Sequence, residues 1–133
     1  MKNIVLFLFI LIAGTESIHA QARPAPKPLD VLPITNIAET ASGLLGILKT
    51  KLAMSDTQGP KMTSLLTEFL NSKSGIIPLA RTNPADYTVK FAGIKEKFLN
   101  GLKSELTSAQ YTKFLGLKPK ASETDNLLHH LFF

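Results

Sequence analysis

Apolar residues recur at steps of three and four along most of the chain after residue 34, which is the spacing of one face of an α-helix. The first apolar stripe predicts a helix over about 35–54, with Thr35 or Asn36 as its N-terminal cap. The second stripe predicts another helix that ends near Asn71. In chain order the two stripes are Ile34, Ile37, Ala41, Leu44, Leu45, Leu48 and Leu52, and then Met62, Leu65, Leu66, Phe69 and Leu70.

Two interpretations are open for the start of the second helix. Ser55 with Gln58 three residues later is a capping box, in which each residue's side chain bonds the main chain of the other. That cap would place Pro60 fifth in the helix, where a proline removes a hydrogen bond and kinks the axis. Alternatively, the helix begins at Pro60 itself, with Gly59 as its cap.

The next helix is predicted over about 84–105, because Asn83 is a capping residue and Pro84 suits the first helical position. Before it, residues 72–83 carry Gly and Pro breaks and predict a loop. A buried plug is predicted from the apolar residues of this loop, Ile76, Ile77 and Leu79. The helix has an apolar stripe of Tyr87, Phe91, Ile94, Phe98 and Leu102, with Lys90 and Lys97 on one side and Lys95 on the other.

A second capping box, Thr107 with Gln110, opens a further helix that ends before Pro119. Residues 119–133 predict a tail with a short helix from about 124. No run of alternating strand residues occurs in the sequence. The predicted fold class is therefore all-α, with four to five helices forming a helical hairpin or small bundle and an extended Pro-rich N-terminal arm.

The first twenty residues have the pattern of a secretory signal peptide, with Lys2 at the start, an uncharged apolar run and Ala20 at the end. The apolar run of about ten residues is shorter than the ~20 that a membrane-spanning helix needs. Residues 21–34 contain four prolines and predict a disordered arm. The helical domain is then 35–118, and the protein is expected to be exported, either periplasmic or secreted.

The composition argues against catalysis more strongly than it favours any one binding role. The 133-residue chain has no Cys and three His, one of them in the predicted signal peptide. The missing Cys excludes disulfide scaffolds, zinc–cysteine sites and thiol nucleophiles, and the few His leave little for a Ser-His-Asp triad. No close acidic pair or Gly-rich phosphate loop appears. We therefore predict no enzyme activity, no catalytic residues, no cofactor and no metal.

His129 and His130 are neighbours on the predicted terminal helix, so their side chains point about 100° apart. They are expected to form the polar side of that helix, because neighbouring His residues do not converge on one metal ion. The last three residues, Leu131, Phe132 and Phe133, are predicted to fold back on the core, with an exposed partner patch as the alternative.

The net charge of +5 leans toward the second half of the chain, where lysines concentrate in residues 90–120. Arginine, the better reader of bases, occurs only as Arg23 and Arg81, and an exported protein seldom meets DNA. Nucleic acid binding is therefore not expected. Diffuse attraction to acidic proteins, or at most peripheral contact with a membrane, fits the charge better, and a solvated lysine face that aids solubility fits equally well.

The two capping boxes repeat at an offset of 52 residues, with 54–58 aligned to 106–110. In each, the apolar residue is predicted to plug a corner between two helices while the hydroxyl residue and the Gln form the cap. The pattern Leu-Thr-x-x-Gln resembles that of the LTxxQ-motif periplasmic proteins of the Spy and CpxP type. The match is literal at Leu106, Thr107 and Gln110, and approximate at Met54, Ser55 and Gln58.

This resemblance covers about 35–118 and implies an all-helical, hairpin-like subunit that forms a dimer shaped like a curved cradle. It further implies ATP-independent chaperone or envelope-stress activity on a basic surface with apolar patches. The motif residues that match are structural and transfer no catalytic role. Gly59 and Pro60, directly after the first motif, depart from the smooth helix of the family.

We therefore expect a non-catalytic protein that binds unfolded or envelope proteins, with a homodimer as a further option. The expected binding residues are Tyr87, Phe91, Ile94 and Phe98, with Lys90, Lys95 and Lys97 attracting acidic segments. The alternative for this stripe is an ordinary intramolecular core. Alternatives for the function are a structural or interaction subunit of an envelope assembly and a carrier of small hydrophobic ligands.

Overall fold

The computed structural model describes residues 27–133, and these residues fold into helices without any strand. The predicted all-α class is confirmed. The predicted signal peptide, 1–20, and the beginning of the predicted arm lie outside the described residues. The helices are α1 (Ile37–Leu52), α2 (Gln58–Ile76), α3 (Leu79–Thr82), α4 (Pro84–Glu105), α5 (Ser108–Gly116) and α6 (His129–Phe132).

Helix α2 lies at the centre of the fold, because it packs against α1 on one side and α4 on the other. Helix α5 contacts α1 and α4, and the single turn α3 packs on α4. Aromatic rings connect the layers: the centroid of Phe98 lies 4.7 Å from Phe69 and 6.2 Å from Phe114. The most deeply buried apolar side chains are Leu44, Leu48, Leu52, Met62, Leu66, Leu70, Leu102, Phe114 and Leu131.

Two helices begin where the sequence predicts and are capped by asparagine. The Asn36 side chain accepts the Glu39 amide at 3.1 Å, and the Asn83 side chain accepts the Asp86 amide at 3.2 Å. Helix α4 begins at Pro84, as predicted, since proline at the first helical position loses no bond that the helix would otherwise make.

The start of α2 differs from both interpretations of the sequence. The helix begins at Gln58 with Thr57 before it, so Pro60 is the third helical residue. The first four amides of an α-helix have no partner within the helix, so a proline there costs no hydrogen bond. At Ser55 only half of the capping box forms, because its hydroxyl meets the Thr57 hydroxyl at 3.0 Å.

Helix α2 also runs to Ile76, five residues past the predicted end, so the loop predicted over 72–83 is wrong over its first part. Ser and Gly are weak helix formers, but this added turn places the side chain of Lys73 in the interior, where only 1% of it is exposed. The predicted plug is also corrected: its three residues are half-buried, and Ala80 is the buried residue. The plug residues are Ile76, Ile77 and Leu79.

The end of the chain folds back on the core, as predicted: Leu128, Leu131 and Phe132 are buried. The terminal helix begins at His129, not near 124, and is a single turn. His129 and His130 are buried, so their prediction as a polar helix side is wrong. This burial was not predictable from local sequence, because it depends on the turns in 118–128 that direct the last residues inward.

Residues 27–34, the described part of the predicted arm, contain no helix. The Leu29 amide donates to the Ala80 carbonyl at 2.9 Å, which places this stretch beside α3. Within 27–133, no helix combines the length and apolar character that crossing a bilayer requires.

Candidate functional site

The two repeated corners, 54–58 and 106–110, meet in space and bond to each other; we call them the paired corners. The Gln58 amide nitrogen donates to the Gln110 side-chain oxygen at 2.8 Å, and the reverse bond is 3.1 Å. Each side-chain oxygen also accepts the main-chain amide of its own corner, Ser55 at 2.9 Å and Thr107 at 3.0 Å. The two copies of the repeat therefore contribute equivalent glutamine bonds to one hydrogen-bond network.

The paired corners fix the ends of the long helices against each other. The Gln58 side chain donates to the Glu105 carbonyl at 2.8 Å, and the Gln110 side chain donates to the Leu52 carbonyl at 3.3 Å. Each glutamine thus satisfies a carbonyl at a helix end that would otherwise lack a partner within its helix. Met54 and Leu106, the first residues of the two corners, are buried below the network.

The predicted binding stripe of α4 is divided between the core and the surface. Tyr87 and Phe98 are each only 3% exposed, so they belong to the interior. Phe91 and Ile94 are half-buried, and the Tyr87 and Phe91 rings stack with centroids 5.7 Å apart. Burial leaves the Tyr87 hydroxyl without a hydrogen-bond partner and raises its pKa to about 12.

The three lysines predicted beside the stripe have different surroundings. Lys90 is exposed and pairs with Asp86, one turn earlier, at 3.2 Å. Lys97 is exposed and pairs with Glu68 of α2. Lys95 is half-buried and points away from that pair, since its ammonium lies 5.8 Å from the centroid of the Phe132 ring.

An open groove of about 190 Å³ lies between α2 and α4 and is lined by two residues of the stripe, the half-buried Ile94 and the buried Phe98. We call it the α2–α4 groove. Its apolar floor comes from both helices, and its edges carry Glu68, Ser72 and Lys97. The floor residues are Leu65, Phe69, Ile94, Phe98 and Gly101.

Gly101 leaves room for the Leu65 side chain where the two helices approach each other. A Cβ atom at position 101 would lie 2.5 Å from the Cδ2 atom of Leu65, which is closer than such atoms come. The sequence predicted the α4 side of the groove and placed Leu65 and Phe69 only on the apolar stripe of the second helix. The packing of α2 on α4, which periodicity does not specify, brings these two residues beside Ile94 and Phe98 to form a groove.

An ion pair between Glu68 and Lys97 crosses the groove. Both side chains are more than half exposed, at 56% and 76%, so water screens their attraction. Exposed pairs of this kind contribute less than about 1 kcal/mol to stability. A partner that enters the groove therefore loses little by separating them.

Among residues 27–133, no three His, Cys, Asp or Glu side chains are grouped so that they could hold a metal ion. Comparisons of the chain with protein-family models, with curated proteins and with solved structures found no match. The function is therefore argued from the groove, the paired corners and the surrounding charges.

Proposed function

We propose that the protein is an exported, non-catalytic, chaperone-like protein that holds apolar segments of unfolded or envelope proteins without ATP. The observation that carries this proposal is the α2–α4 groove, an apolar channel open to solvent with a charged residue from each helix at its edge. An apolar concavity bordered by a few polar groups is the usual form of a binding site.

The size of the groove supports binding of single side chains more than binding of a whole ligand. Pockets for small molecules have volumes of ~300 Å³ or more and enclose most of their ligand. The α2–α4 groove has about 190 Å³ and is open along one side. A protein chain that lies across it can insert a Leu or Phe side chain and leave its backbone in water, whereas a small hydrophobic carrier ligand would stay largely exposed.

The net charge of the chain supports a preference for acidic client proteins. At the groove edge Lys97 is paired with Glu68, and Lys90 on the same helix is paired with Asp86, so the attraction comes from the net charge of +5 and not from unpaired lysines at the groove. A basic surface raises the rate at which acidic molecules arrive, and salt weakens this effect. Clients would thus be attracted by charge and held by apolar contact.

The paired corners support the same proposal through the resemblance to LTxxQ-motif proteins. In this chain the two motif glutamines bond to each other and hold α1, α4 and their neighbours in a fixed arrangement. A rigid frame keeps the groove open when no client is bound. The frame itself carries no client-binding chemistry.

The proposal is tested by an aggregation assay with an unfolding client protein, without ATP, at low and high salt. Ile94→Gln removes apolar surface from the groove floor, and Val89→Gln is the matched control, because Val89 is on the same helix but 72% exposed and outside the groove. We expect the unmodified protein and the control to suppress aggregation, and Ile94→Gln to need several-fold more protein for the same effect.

High salt should weaken suppression of an acidic client more than of a basic one. Circular dichroism verifies that both variants remain helical. An unmodified protein that fails to suppress aggregation at severalfold excess overturns the chaperone proposal and favours an interaction subunit. Equal suppression by the two variants removes the α2–α4 groove from the mechanism.

A further inference from the structure

Residues 127–133, here called the tail segment, are mostly buried. No hydrogen bond between main-chain atoms connects them to the five preceding helices. The main-chain bonds that the amides of 128–133 make are local, for example from Leu131 to Leu128 at 2.9 Å and from Phe133 to His129 at 3.0 Å. The segment therefore lies on the helical body as a bound peptide would, held by side chains of the body and not by shared main-chain bonds.

Three lysines surround the tail segment, one from α2, one from α4 and one from the stretch after α5; we call Lys73, Lys95 and Lys118 the lysine cradle. The Lys73 ammonium donates to the main-chain oxygens of His130, at 2.7 Å, and of Phe133. The Lys95 ammonium donates to the main-chain oxygen of Phe132 at 3.4 Å. Main-chain oxygens are present in every peptide, so these contacts do not require a particular sequence.

The lysine cradle also contacts the aromatic rings of the tail segment. The Lys95 ammonium lies 5.8 Å from the Phe132 ring centroid, and the Lys118 ammonium lies 5.1 Å from that of Phe133. Cations within about 6 Å of an aromatic face are attracted by its electrons. The Phe132 ring also stacks on Phe114 of α5, with centroids 5.3 Å apart. Together these contacts favour aromatic side chains over aliphatic ones.

Burying the charged side chain of Lys73 costs free energy that a residue with only a packing role would not require. Its side chain is 1% exposed, and none of the ion pairs formed within 27–133 by Asp and Glu side chains includes it. Burial and the nearby Lys95 ammonium lower the pKa of Lys73 to about 8. A Met would fill similar space without this cost. The ammonium is therefore explained by its bonds to the carbonyl oxygens of the tail segment.

The tail segment is attached in a way that allows exchange. Residues 120–125, which precede it, are all exposed and contain turns only. Where the segment crosses α1, the Leu127 side chain lies over Gly43, and a Cβ atom there would be 2.7 Å from the Leu127 Cδ2 atom. Helix α1 thus lacks a side chain at the crossing point.

We propose that the lysine cradle, together with Phe114 and the open face of Gly43, is a binding site for apolar, aromatic-rich peptide segments, and that the tail segment is its internal occupant. The site is built from different side chains than the α2–α4 groove, so it stands whether or not the groove holds clients. A linked occupant has a high effective concentration, so an outside peptide binds weakly until the tail segment is released.

The test measures binding of a fluorescein-labelled peptide of residues 118–133 to the full chain by fluorescence polarisation. Gly43→Gln places a side chain where Leu127 lies and so weakens the internal occupant. Gly46→Gln is the matched control, since a side chain at 46 on the same helix meets nothing within 4 Å. We expect the Gly43→Gln protein to bind the peptide about fivefold or more tightly than the unmodified protein, and the control to equal the unmodified protein.

Two further comparisons connect binding to the lysine cradle and to the aromatic rings. Lys95→Gln, combined with Gly43→Gln, should weaken binding about threefold or more, whereas Lys113→Gln in the same background removes an exposed lysine and should not. A peptide with Phe132→Ser and Phe133→Ser should bind about tenfold more weakly.

Equal affinity of the Gly43→Gln and Gly46→Gln proteins overturns the proposal, as does equal affinity of the two lysine variants. Circular dichroism shows whether Gly43→Gln keeps its helices. If it does not, the unmodified, ¹⁵N-labelled protein decides the question: saturating unlabelled peptide must move the amide signals of 128–133 to positions of an unfolded chain, and unmoved signals overturn the proposal.

Discussion

At the paired corners, Gln58 and Gln110 place every polar atom of their amides against a partner, whereas in the lysine cradle Lys73 places a positive charge against main-chain oxygens of the tail segment. Both regions join parts of the chain that are distant in sequence. Every hydrogen-bond donor and acceptor of the two glutamine amides has a partner, so the role of the corner network is structural. In the cradle, the positive charge of Lys73 is not paired with an Asp or Glu side chain of residues 27–133. A charge of this kind is expected at a surface that binds a ligand.

The two regions also differ in how they respond to pH. The glutamines do not titrate, so the corner network is the same at every pH. In the cradle, burial and a neighbouring lysine lower the pKa of Lys73, to about 8, and that of Lys95. In the tail segment the pKa of His130 is lowered to about 4, with burial as the main cause and the Lys73 and His129 charges adding to it. The Nδ1 atom of His130 is buried without a hydrogen-bond partner. The cradle and the tail segment therefore respond to pH, whereas the corner network does not.

The largest effect is expected at Lys73 on the alkaline side. Between pH 8 and 10.5 the unfolded chain keeps the Lys73 proton while the folded protein has lost it, so raising the pH favours folding. The free energy of unfolding should rise by about 3 kcal/mol across this window, since one pKa unit corresponds to about 1.4 kcal/mol. Urea denaturation at a series of pH values measures the rise.

Lys73→Met is the variant that assigns this rise to one residue. It keeps the apolar part of the side chain and removes the titrating group, so its free energy of unfolding should lack the Lys73 contribution between pH 8 and 10.5. The exposed Lys113→Gln is the control and should retain the full rise. A Lys73→Met protein that shows the same rise as the unmodified protein would mean that other groups cause it.

A smaller effect is expected at the paired corners. Gln110→Ala leaves the Gln58 side chain and the Thr107 amide without their shared partner, and it should lower the free energy of unfolding by about 2 kcal/mol. The loss should not change with pH, in contrast to that at Lys73. Denaturation at pH 7 and at pH 10 makes the comparison directly.

A double-mutant cycle shows whether the two glutamines act as one unit. If they do, the Gln58→Ala, Gln110→Ala double variant should be more stable than the sum of the two single losses predicts, by about 1 kcal/mol. Additive losses would mean that each corner is stabilised separately and that their mutual bonds contribute nothing.

Local signals in the sequence predicted those parts of the fold that local contacts determine. The adjacent residues Asn83 and Pro84 determine where α4 begins. The Thr107 capping box forms with both of its bonds. Pairings between distant residues carry no such signal. The bond between Gln58 and Gln110 spans 52 residues, and nothing in either corner alone specifies it.

The candidate site was predictable only in part for the same reason. Periodicity placed Ile94 and Phe98 on the correct face of α4, but the opposite wall of the α2–α4 groove comes from α2. The end of α2 was predicted too early because local propensity favours a break at Ser72 and Gly75, while the interior position of Lys73 is set by residues near 130.

The smallest effect concerns a difference between the two corners themselves. Ala53, which follows α1, has φ 49° and ψ 51°, the left-handed conformation that favours glycine, and no other non-glycine residue in 27–133 has a positive φ. Ala53→Gly should therefore raise the free energy of unfolding by about 1 kcal/mol. The same change at Ala92, an exposed residue in the middle of α4, should lower it by a similar amount, because glycine weakens a helix interior. Thermal and urea denaturation of both variants measure the opposite signs. Since the Gln110 side chain reaches the Ala53 carbonyl at 3.4 Å, a loss of stability in Ala53→Gly would instead mean that the left-handed alanine is held by the corner network and that its strain is already offset there.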